Sequence, residues 1–185
     1  MAVEGGLAFM SHADKSINKD DIENALREVL DEMGVSEESI DLNAFVRSIV
    51  SIVNHISLGV RVNANSTVFA STIKTANFYG EILAKTIEKW FPDCCALTRE
   101  SSIYNWQNWS EKQKAFKILL VKDCEAADLD KLYNTLSLFE QAGYNPTVIL
   151  CTTDKVFERM RRYENNEYRL FYSLCGYKII IQDKS

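Results

Sequence analysis

After Gly59, short apolar, β-rich runs alternate with helical patterns, and this alternation constrains the fold more than any other feature of the chain. The runs lie at 67–70, 94–98, 116–121, 147–151 and 177–182, and helical spacing covers about 75–90, 128–142 and 154–162. Stretches such as ILLV and VILC are apolar on both faces, as strands must be when helices cover a sheet from both sides. The pattern predicts a three-layer α/β fold with a mostly parallel five-stranded sheet. Leu119, Leu120, Val148, Ile149, Ile179 and Ile180 are its expected buried residues. In such a sheet the ligand crevice lies at the carboxyl ends of the strands, so residues 71–76, 99–109, 122–128 and 152–154 are the ones to inspect.

Two helices precede this region. Asn18 is a good N-cap, Ile17 and Ile22 have hydrophobic-staple spacing, and Ile22, Leu26, Val29, Leu30 and Met33 recur at helical spacing until Gly34. A second cap, Ser36 or Asp41, precedes Leu42, Phe45, Val46, Ile49, Val50, Val53 and Ile56, a wide apolar face that other structure has to cover. The expected organisation is a frayed terminus or expression remnant over 1–17, a helical N-terminal segment over 18–57 and an α/β domain over 58–185.

Composition narrows the function classes. Hydrophobic residues make up 46% of the 185, and Gly and Pro together number only nine, which excludes collagen-like, low-complexity and disordered chains. No apolar run reaches the ~18 residues of a membrane span, and MAVEGGLAFM has no basic region ahead of its apolar stretch. No membrane partner is expected, and the cytoplasm is the expected compartment. Five cysteines without a CxxC, beside two histidines, suggest neither a disulfide framework nor a zinc site. The EF-hand-like spacing of Asp14, Ser16, Asn18 and Asp20 fails at Lys19 and Ala25, so no metal site is expected. A net charge of -5 gives no global footprint for nucleic acid. Lys155, Arg159 and Arg162 fall at helical spacing and read as a solvated helix face.

Two strand ends carry candidate chemistry. VFASTIKTANFYGEILAKTI reads as strand, loop and helix, and Lys74-Thr75 preserves the KT pair of the phosphate-binding motif GxxxxGK[ST]. The loop has no glycine, so an ordinary strand-to-helix turn competes with a phosphate cradle. KILLVKDCEAAD is a buried strand running into acidic residues. Asp123 suits a magnesium ligand and Glu125 is the nearest candidate for orienting an attacking water. Lys122 is a candidate partner for the Asp123 carboxylate, and acidic residues at a helix start are favoured by its dipole in any case.

Taken in order, residues from about 60 to 185 resemble the large subdomain of AAA+ ATPases, closest to the CbxX type. VFASTIKTANFYGEILAKTI stands in the place of Walker A, CALTRESSIYNW looks like the second strand running into the pore loop, and KILLVKDCEAAD stands in the place of Walker B. PTVILCTTDKVFERMRR resembles the sensor 1 strand and its helix, and ENNEYRLFYSLCGYKIIIQDKS the arginine-finger helix and fifth strand. The resemblance implies a strand order in space of 5-1-4-3-2. It implies that the family lysine falls on Lys74 by motif shape or on Ala76 by helix register, and that sensor 1 is Thr152 or Thr153. It implies a finger at Arg169, with Tyr172 or Leu174 there in another register.

The departures matter as much. The glycines are absent, the DE pair reads Asp123-Cys124 with Glu125 one residue late, and the sequence given stops after the fifth strand. The expected function is therefore that of a degenerate, non-catalytic AAA+-like domain, a pseudo-ATPase acting in protein–protein assembly or regulation, with a protein partner or a homo-oligomer and no cofactor. The alternative is a divergent P-loop NTPase using ATP and Mg, with Lys74, Thr75 and Thr152 binding and Asp123, Glu125 and Arg169 catalytic. Trp106, the match to the family's pore-loop aromatic, and Trp109 are the expected partner-binding residues. An indole capping a core edge is the competing reading.

Overall fold

Asn18 starts the first helix, α1 (Lys19–Glu32), with a capping box: its side chain accepts the Asp21 amide at 2.8 Å, and the Asp21 carboxylate accepts the Asn18 amide at 3.3 Å. Gly34, at φ +69, turns the chain out of the helix, a conformation that costs a residue without Cβ little. Of the two candidate caps for α2 (Leu42–Leu58), Asp41 serves, accepting the Ala44 amide at 3.0 Å; Ser36 instead precedes a short 3-10 turn. The computed structural model describes residues 17–58, 64–92, 97–98, 107–111, 117–156, 158 and 176–182.

The remaining elements are β1 (Ser66–Ala70), α3 (Ile73–Glu88), β2 (Leu97–Thr98), β3 (Ile118–Cys124), α4 (Leu129–Gln141), β4 (Thr147–Thr153) and β5 (Tyr177–Ile180). The strands form one parallel sheet in the order β2-β3-β4-β1-β5. The chain is thus an α/β protein with helices on both faces of a parallel sheet.

Alternation along each strand builds two cores. Val68, Ala70, Leu120, Ile149, Cys151 and Ile179 share one core with α1, α2 and α3. Phe69, Leu119, Val121, Val148 and Leu150 share the other with α4, Trp109 and Val156. The N-terminal helices are part of the first core: α1 packs on α2 and α3, and α2 reaches β5. A hydroxyl pair, Ser48 Oγ to Ser66 Oγ at 2.5 Å, ties α2 to β1 inside it. No described helix is long and apolar enough to cross a membrane.

Three expectations need correction. Ile180 is 48% exposed, because β5 is an edge strand and the alternation that buries Ile179 and Ile181 turns Ile180 away from their core. β3 runs to Cys124 and β4 to Thr153, so Asp123 and Thr152 are strand residues and do not follow a strand end. α3 begins at Ile73, two residues before the expected start.

Burial raises the Cys151 thiol well above its ordinary 9.0 and the Tyr144 phenol well above 10.0. Both stay protonated when folded, whereas the unfolded chain releases these protons from about pH 9 upward. Their contribution is complete below about pH 9 and is lost as the pH rises. The urea midpoint is expected to fall as the pH rises above about 9, less steeply in Cys151→Ala. An equal slope in the variant would show that the buried thiol is not linked to folding.

Candidate functional site

The chain leaves β1 into α3 on one face of the sheet and leaves β4 toward Val156 on the other. The carboxyl ends of these neighbouring strands are therefore the position at which an open α/β sheet generally binds ligands. Only Ser71 and Thr72 separate β1 from α3. Thr72 is the N-cap: its Oγ1 accepts the Thr75 amide at 3.2 Å and lies 2.8 Å from the Thr75 hydroxyl. Lys74 is exposed, and Ala76, the other position for the family lysine, is fully buried. Two residues span at most ~7 Å, whereas a phosphate cradle needs a longer glycine-rich loop whose amides close round the anion. The ordinary-turn reading describes this segment.

At the end of β3 the register with β4 shifts between Val121 and Cys124, and Asp123 takes a left-handed φ of 55, the only non-glycine to do so among the described residues. Asp tolerates this conformation better than most residues. α3 holds it there: Asn77 Nδ2 donates to Asp123 Oδ1 at 2.7 Å, and the Asp123 amide donates to Asn77 Oδ1 at 3.1 Å. One turn further along α3, Glu81 pairs with Lys122 in a partly buried contact. Lys122 therefore pairs with Glu81 and not with the candidate partner Asp123. Between these two clasps, Gly80 lets α3 settle on Cys151 and Leu120.

The other candidates are similarly engaged. Thr152 is fully buried and donates its hydroxyl hydrogen to the Cys124 carbonyl at 2.6 Å. Glu125 is exposed, and its amide donates to Asp128 Oδ2 at 3.1 Å as the chain turns toward α4. Trp109 is 7% exposed, with its ring 6.3 Å from Phe139, which in turn meets Tyr144 edge-on at 5.0 Å. For Trp109 the core-edge reading describes the ring. Trp106, the other candidate anchor, lies outside the described residues, as do Arg169, the alternatives Tyr172 and Leu174, Arg159 and Arg162.

Asp123 is exposed, with one carboxylate oxygen accepting the Asn77 amide; Thr152 donates its proton to the backbone; and the β1–α3 turn is too short to surround a phosphate as a glycine-rich loop does. Among the described residues no three His, Cys, Asp or Glu side chains are placed to share a metal ion. Sequence reasoning missed Asn77, Gly80 and Glu81. Their spacing along one face of α3 was the available signal, but nothing local tied that face to Lys122 and Asp123. No family model, curated protein or solved structure matches the chain.

Proposed function

We propose that the chain is a degenerate AAA+-like domain of P-loop ancestry that does not hydrolyse ATP and acts through protein contacts, assembling with itself or with an active ATPase in the cytoplasm. The observation that carries this reading is the reciprocal Asn77–Asp123 clasp, which engages the carboxylate of the Walker B position with a neighbouring amide. The strand order supports the kinship: read from β5 it is β5-β1-β4-β3-β2, the order the resemblance implies. The short β1–α3 turn supports the loss of phosphate chemistry.

A steady-state phosphate-release assay with ATP and magnesium tests the reading. The expected rate equals that of buffer and is unchanged in Asp123→Ala and Glu125→Ala. Turnover that either substitution abolishes would establish the divergent NTPase instead.

A further inference from the structure

We draw no further inference here: the strongest candidate, the polar cluster of Asn77, Glu81, Lys122 and Asp123 where α3 meets the end of β3, belongs to the site already described, and its hydrogen bonds and left-handed backbone lie within the cluster and point to no ligand.

Discussion

Leu120→Asp is expected to leave no cooperatively folded protein. Leu120 is fully buried in β3, between β2 and β4, in the core that α3 covers. Removing its apolar burial costs ~1.5–3 kcal/mol, and placing an unpaired carboxylate there costs several kcal/mol more. The sum is comparable with the ~5–15 kcal/mol that holds a whole domain together. Far-UV circular dichroism with a thermal scan reads the result, and Leu120→Met, which roughly conserves volume, should keep the transition at a cost below ~1.5 kcal/mol. A soluble Leu120→Asp with a sharp transition would contradict the placement of β3 in the core.

The second large effect concerns Gly80. In an exposed helix interior, Gly→Ala stabilises by roughly 0.5–1 kcal/mol. Here a Cβ would stand 2.2 Å from Cys151 Sγ and 3.3 Å from Leu120 Cδ1. The first contact is impossible without movement, and the sulfur that has to move is fully buried in a close-packed core. Overpacking of ~1–3 kcal/mol outweighs the propensity gain, so Gly80→Ala should destabilise. In a Cys151→Ala background the sulfur is gone and the Cβ of residue 151 lies at 3.9 Å, an ordinary contact. There Gly80→Ala should be neutral or stabilising. Urea midpoints of the four proteins give the coupling, expected within the ~0.5–3 kcal/mol typical of contacting residues. Additive effects would mean that α3 does not rest on β4 through this pair.

What was legible in the sequence was what local pattern controls. The Asn18 cap, the Gly34 stop and the apolar cores of β1, β3 and β4 follow from spacing and turn chemistry within a few residues. The strand ends were less legible because distant residues decide them. Lys122 and Asp123 read as the end of a strand, yet Glu81 and Asn77, more than 40 positions earlier, hold them in it. Trp109 sits in the polar stretch RESSIYNWQNWSEKQK, whose composition suggests solvent, while its own ring finds Phe139 on α4. Ile180 differs from Ile179 and Ile181 only in pointing to the other side of an edge strand, a distinction that depends on sheet order. The polar candidates near the ends of β1, β3 and β4 pair with residues of neighbouring elements, and that pairing is tertiary.

The measurement that tests the proposed loss of nucleotide chemistry most directly is a calorimetric titration of the chain with ATP and magnesium. The two-residue β1–α3 turn and the Asn77–Asp123 clasp predict no binding heat beyond dilution, and the same flat trace for Lys74→Ala and Asp123→Ala. Tight binding by the wild type that both substitutions abolish would contradict the account and make the strand ends a working nucleotide site.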